Sequence, residues 1–208
     1  MKISVGLRYS NLDILLQIFH YLLILIKISH EMLNRGKVYK ILIAGSFGSG
    51  KTTFVKTLSE IDPLLTEKKI SQPEEISEEK TTTTVAMDMG KIKIGEDMEI
   101  HLFSAPGQSR FNFMIDILKK GIIGAIVLVD AASPQSIKEA EEIAKYIREH
   151  YEIPVLFGVT KLDLPNAKPI EEIKAFLEND DFVRVVPLDP RDKEQGKRAL
   201  LELLSMVL

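Results

Sequence analysis

The sequence predicts an α/β domain built on a mostly parallel sheet with helices on both faces. Three observations predict it. From residue 38 to residue 207, short strand-like apolar runs alternate with amphipathic helical stretches. Residues 122–129 (IIGAIVLV) form an unbroken apolar run, as a central parallel strand covered on both faces requires. A glycine-rich loop lies between the first apolar run and the first helical stretch, and open α/β sheets take ligands at that end of their strands.

The elements follow in order. Residues 38–44 (VYKILIA) read as a buried strand and 51–59 as a helix. Residues 67–84 are rich in Lys, Glu, Ser and Thr and read as a long loop. Residues 85–94 and 98–103 read as two strands around a Gly95-Glu96-Asp97 turn. The central run 122–129 comes next. Ser133 is then placed to N-cap a helix with Pro134 in its first turn, running to about Glu149. Residues 154–160 read as another buried strand, and 170–177, 183–186 and 193–207 complete the alternation.

The 208 residues suffice for one well-buried domain. A net charge of -3 supplies no bulk basic field for nucleic acid. The chain has no Cys, which excludes disulfides and thiolate metal sites and fits a reducing cytoplasm. His20, His30, His101 and His150 are scattered, without metal-ligand spacing. Residues 1–35 stand apart from the expected domain at 36–208. Within them, 12–28 (LDILLQIFHYLLILIKI) is apolar but broken by Asp13, Gln17, His20 and Lys27, against the roughly 20 apolar residues a spanning helix needs. Three readings stay open: a membrane anchor or interfacial helix, an extra helix packed on the domain or a partner, or a translated stretch upstream of a start at Met32. No cleaved signal-peptide pattern is present.

Gly45-Ser46-Phe47-Gly48-Ser49-Gly50-Lys51-Thr52 meets the phosphate-loop pattern G-x-x-x-x-G-K-[ST] at every fixed position, with a strand before it and a helix after it. Gly45, Gly48 and Gly50 allow a tight turn that brings N–H groups to phosphate oxygens. The helix that follows, through Lys51, Thr52 and Thr53, offers its positive end to an anion. Lys51 supplies a cation to the outer phosphates, and the Thr52 hydroxyl suits Mg²⁺. The loop therefore predicts nucleoside triphosphate binding.

Four further segments accompany it. Residues 81–88 read TTTTVAMD. Residues 103–111 read FSAPGQSRF. Thr160-Lys161-Leu162-Asp163 ends a strand. Val186-Pro187-Leu188-Asp189-Pro190-Arg191-Asp192 joins the last strand to the last helix. Their order and spacing resemble the Ras-like small GTPases across residues 38–208. The resemblance implies a sheet of about six strands with the second strand antiparallel at one edge. It also implies roles for residues. Thr84, with Thr83 as competitor for the register, would meet Mg²⁺ and the γ-phosphate. Gly107 would sense that phosphate, and Gln108 would orient the attacking water. Thr160, Lys161 and Asp163 would hold the base, with the Asp163 carboxylate accepting from guanine N1–H and N2–H₂, donors that adenine lacks. Asp189 and Pro190 would lie near the base.

The sequence departs from the family in three places. Ser104 stands where the family has the Asp that holds the magnesium's water shell. Thr160 stands for Asn. Asp189 and Pro190 stand where the family's Ser-Ala-Lys motif has Ser-Ala. Together with the Thr-rich first switch, this combination resembles a prokaryotic branch of small GTPases related to the gliding-motility and cell-polarity type. In that branch partners of the roadblock/longin type act on the switches. The resemblance thus implies a GTP/GDP switch with Mg²⁺ that hydrolyses GTP slowly. A poorly hydrolysing GTP-binding scaffold and an ATP-using phosphate-loop protein are the alternatives.

Overall fold

The computed structural model of the chain describes residues 37–62, 64–70, 83–94, 98–104, 121–177 and 182–207, the backbone alone at 37, 64–70 and 83–87. Seven strands form one sheet: β1 (Lys37–Gly45), β2 (Leu64–Ile70), β3 (Thr83–Ile94), β4 (Met98–Ser104), β5 (Ile122–Asp130), β6 (Val155–Thr160) and β7 (Val183–Pro187). Their order is β2-β3-β4-β1-β5-β6-β7. Strands β4, β1, β5, β6 and β7 run parallel to one another, while β3 is antiparallel to both β2 and β4. The described helices are α1 (Lys51–Leu58), α2 (Pro134–Tyr151), α3 (Ile170–Leu177) and α4 (Lys193–Val207).

The central strands are buried on both faces, which is why their sequences carry no polar alternation. Leu42 and Ala44 of β1 and Ala125, Val127 and Val129 of β5 share a core with Ile137, Ile143 and Ile147 of α2 and with Ile173 of α3. The alternate residues Ile41, Ile43, Ile126 and Leu128 are equally buried and face the opposite layer. There Leu203 of α4 packs on Gly124, and Leu58 of α1 packs on Gly196 of α4. Each such side chain contributes about 1.5–3 kcal/mol when fully buried. This two-sided core fixes the carboxyl ends of β1, β5 and β6, and the loops on those ends carry the site. Ser133 caps α2 as its sequence predicts, its hydroxyl accepting from the Ser136 N–H at 3.2 Å.

Two expectations are corrected. Residues 67–70 belong to a strand, not to a loop, because β2 pairs with β3 from Leu64↔Met89 to Ile70↔Thr83. An edge strand does not need two apolar faces, and Glu67, Lys68 and Lys69 are the charged residues such an edge carries. In consequence the antiparallel strand 83–94 is internal and the sheet has seven strands rather than about six. Residues 71–82, the apolar segment 12–28 and the whole 1–35 extension lie outside the described residues. Among the described residues, no helix is long and apolar enough to cross a membrane.

Candidate nucleotide site

The site starts where β1 ends. Gly45 has φ 132°, and a Cβ there would lie 2.3 Å from the Leu128 carbonyl oxygen, so only glycine lets β1 run this close to β5 as the loop begins. Gly50, with φ 103°, is the N-cap of α1, and no side chain caps that helix. The first turn also contains no acidic residue, so the N–H groups of Lys51, Thr52 and Thr53 are left for an external anion. The Lys51 ammonium lies along the loop and donates to the carbonyls of Gly45 at 2.9 Å and Ser46 at 2.7 Å. Burial holds it below its usual range, while the neighbouring Asp88 and Glu139 carboxylates pull it back up. Phe47 at the loop tip is fully exposed.

The loop is braced within and tied down from two sides. Ser49 donates its hydroxyl to the Ser46 carbonyl at 2.9 Å. The Ser46 and Ser136 hydroxyls share a bond of 2.6 Å, joining the loop to the first turn of α2. The Thr160 hydroxyl, at the end of β6, lies 3.2 Å from the carbonyls of both Ser49 and Val129. Thr160 is thus buried beneath the loop, and its short hydroxyl anchors loop backbone.

Beside the loop, Thr52 donates its hydroxyl to Oδ2 of Asp88 at 2.5 Å. Asp88 lies on β3 directly across from Ser104 on β4, and both are nearly buried. Directly opposed residues of an antiparallel pair project from the same face. Asp88 thus sets a carboxylate one strand away from Ser104, against the hydroxyl of the phosphate loop. A hydroxyl and a carboxylate are the hard oxygen donors that Mg²⁺ takes, together with phosphate oxygens and water. The described residues hold no cluster of three or more His, Cys, Asp or Glu that would bind a metal without such help.

The base-motif segment lies on the other side of the loop. Lys161 has φ 59°, a left-handed conformation that costs about 1 kcal/mol outside glycine. Its ammonium is held 2.5 Å from Oδ2 of Asp130, the last residue of β5. The resulting turn closes with Leu164 N–H donating to the Lys161 carbonyl at 3.2 Å and presents Asp163 outward. Gly48, Gly50 and Thr53, then Lys161 and Asp163, then Asp189 and Pro190 line one cavity of about 550 Å³. That size lies within the range of small-molecule sites. Pro190 packs on Gly50, where a Cβ would lie 2.7 Å from its Cγ. The Asp189 carboxylate is clamped by the Arg191 guanidinium at 2.8–3.2 Å, which holds its pKa below the usual carboxylate range.

The structure thus brings the predicted residues 45–53, 160–163 and 189–190 together at one end of the sheet. It does not bring Thr84 there. Thr84 pairs with Lys69 four residues along β3 from Asp88, about 13 Å away at strand spacing. Gly107 and Gln108 lie outside the described residues. Asp88, Asp130, Ser136 and Arg191 belong to the site without having been assigned a role from the sequence. For Asp88 a signal existed. Asp88 is six residues before Ile94 and Ser104 is six after Met98, so a hairpin turning at 95–97 must pair them.

Comparison with known proteins decides the family. Residues 43–208 match the family model ATP_bind_1, described as a conserved hypothetical ATP binding protein. The chain belongs to this family. It is a nucleotide-binding protein of the phosphate-loop type. It is also similar to the uncharacterized protein MJ1339 of Methanocaldococcus jannaschii, with 38% identity over 125 residues, 60% of this chain and 71% of that protein. A second relative is elongation factor 4 of Acetivibrio thermocellus, with 31% identity over 141 residues. That match covers 64% of this chain and only 23% of the factor, so it concerns one segment of a much larger protein.

Proposed function

We propose that the chain is a guanine-nucleotide switch that binds GTP or GDP with Mg²⁺ and hydrolyses GTP slowly. The observation that carries this reading is the cavity joining the phosphate loop to Asp163. The loop amides and Lys51 would take the phosphates, and Asp163 would accept from the two donors on the guanine edge. Thr52 would ligate the metal, with Asp88 holding its water shell in place of the carboxylate absent at 104. When bound, the metal would neutralise charge on the outer phosphates. Gln108 and Gly107 keep the roles their resemblance implies, positioning water and sensing the γ-phosphate. Thr84 would reach the metal only if the start of β3 left the sheet. A partner of the roadblock/longin type, engaging the segments 81–88 and 105–111, belongs to the same proposal.

Turnover of purified protein with GTP and Mg²⁺ tests it. The expected result is slow phosphate release that falls in Gln108→Ala and disappears in Lys51→Ala. A wild-type rate equal to that of Lys51→Ala would remove hydrolysis and leave a GTP-binding scaffold. A second reading, ATP as the nucleotide, is favoured by the family's description. Competition of GTP against ATP separates the two, since Asp163 serves only guanine.

A further inference from the structure

The loop after β7 leaves no backbone N–H open to a ligand. A backbone N–H at the rim of a base pocket is a natural donor to the oxygen at position 6 of guanine. Here every N–H from 188 to 192 is already used or absent. Leu188 donates to the Val159 carbonyl at 2.9 Å and Asp189 to Oε1 of Gln195 at 2.9 Å. Pro190 has no N–H. Arg191 donates to Oδ1 of Asp189 at 2.9 Å, and Asp192 donates to the Asp189 carbonyl at 3.0 Å. Gln195 is turned into the loop at both ends of its amide, with one Nε2 hydrogen on Asp192 at 2.9 Å and Oε1 accepting from the Asp189 N–H. The Lys161 ammonium is held by Asp130.

A second cationic donor, Arg191, stands at the same rim. Arg191 lines the cavity with Asp163, and the two side chains are close enough for their charges to act on each other. Its guanidinium is fixed by three bonds to the Asp189 carboxylate, from Nε at 2.9 and 3.2 Å and from Nη2 at 2.8 Å. Among the described residues nothing engages Nη1. Such a fork is preorganised, so little rotamer freedom remains to be lost when a ligand arrives.

We infer that Arg191, held by Asp189, is the donor that reads the oxygen at position 6 of a guanine base. This rests on the guanine reading of the same cavity. The carboxylate of Asp163 would face the two donors of the base edge and the guanidinium the acceptor. Adenine reverses the polarity at both places, with an acceptor at N1 and a donor at position 6. The pair would therefore discriminate twice, once by attraction and once by leaving like groups opposed. Asp189 is a positioning residue in this arrangement.

The test measures equilibrium affinities of the full chain for GTP, ITP and ATP, in the wild type, Arg191→Ala, Arg191→Lys and Asp189→Asn. ITP keeps the oxygen at position 6 and lacks the 2-amino group. Arg191→Ala should weaken GTP and ITP by about tenfold each, the size of a hydrogen bond to a charged group at a partly exposed site, and leave ATP unchanged or slightly tighter as the opposed donors are relieved. Arg191→Lys should restore part of that loss, and Asp189→Asn should give a smaller loss with the same GTP and ITP pattern. Arg191 is exposed, so folding is not at stake. Equal weakening of all three nucleotides in Arg191→Ala would mean general attraction to phosphate and would overturn the inference. So would unchanged GTP affinity in a wild-type background that prefers GTP, which leaves the guanine reading intact. A wild type that binds ATP as tightly as GTP removes the guanine reading and this inference with it.

Discussion

Asp88 is the residue whose replacement separates charge from hydrogen bonding most cleanly. Asp88→Asn keeps an oxygen that can accept from Thr52, now at 2.5 Å from Oδ2, and removes the charge. A hydrogen bond to a charged group contributes about 1.5–3 kcal/mol and a neutral one about 0.5–1.5. The loss of roughly 1 kcal/mol is offset by no longer burying a carboxylate, so the nucleotide-free protein should keep its stability within about 1 kcal/mol. Asp88→Ala loses the bond itself, and its melting temperature should fall by roughly 4 °C in a domain of this size. The proposed metal binding should respond differently. Groups behind the direct ligands set metal affinity by about 10–100-fold, so both variants should need that much more Mg²⁺ for the same nucleotide affinity. The assay is binding of a fluorescent GTP analogue across a Mg²⁺ titration, with thermal unfolding in chelator as the stability control. Ser104→Asp in the Asp88→Asn background moves the carboxylate one strand over and should recover most of the metal dependence. If Asp88→Asn titrates with Mg²⁺ as the wild type does, Asp88 is a structural partner of Thr52 and has no part in metal binding.

Other outcomes follow from the same geometry. Thr160→Val keeps shape but removes the hydroxyl that lies 3.2 Å from the Ser49 and Val129 carbonyls, so it should cost about 1–2 kcal/mol in thermal unfolding and weaken nucleotide binding by a similar factor for every base. Gly50→Ala forces a side chain into φ 103° and against Pro190, whereas Gly48→Ala meets only φ 76° with open space around it. The first should destabilise by about 1–3 kcal/mol and the second by about 1, measured by urea unfolding.

The parallel core and the phosphate loop were legible because each carries its own local pattern. Residues 122–129 are apolar throughout, and 45–52 have fixed residues at fixed spacing. Strand β2 was not legible, because its charged residues suit an edge and its pairing is made by backbone. The Asp88–Ser104 pair was legible in principle from the hairpin, but its meaning required knowing that Thr52 lies beside it. The Lys161–Asp130 bridge joins residues far apart in the chain that meet only because β5 and β6 are parallel neighbours. The use of the Asp189 N–H likewise depends on Gln195 of α4 folding back on it. Sequence spacing named the segments that gather at the site, and packing determined which of their atoms remain open to a ligand.

Binding of a guanine nucleotide between the phosphate loop and Asp163 is tested most directly by competing GTP against ATP for the purified chain in Mg²⁺, with Asp163→Ala beside the wild type. A GTP preference of at least tenfold in the wild type that collapses in Asp163→Ala is the predicted result, about 1.4 kcal/mol or more from one carboxylate. Equal affinities in the wild type, or a preference that survives Asp163→Ala, would contradict it.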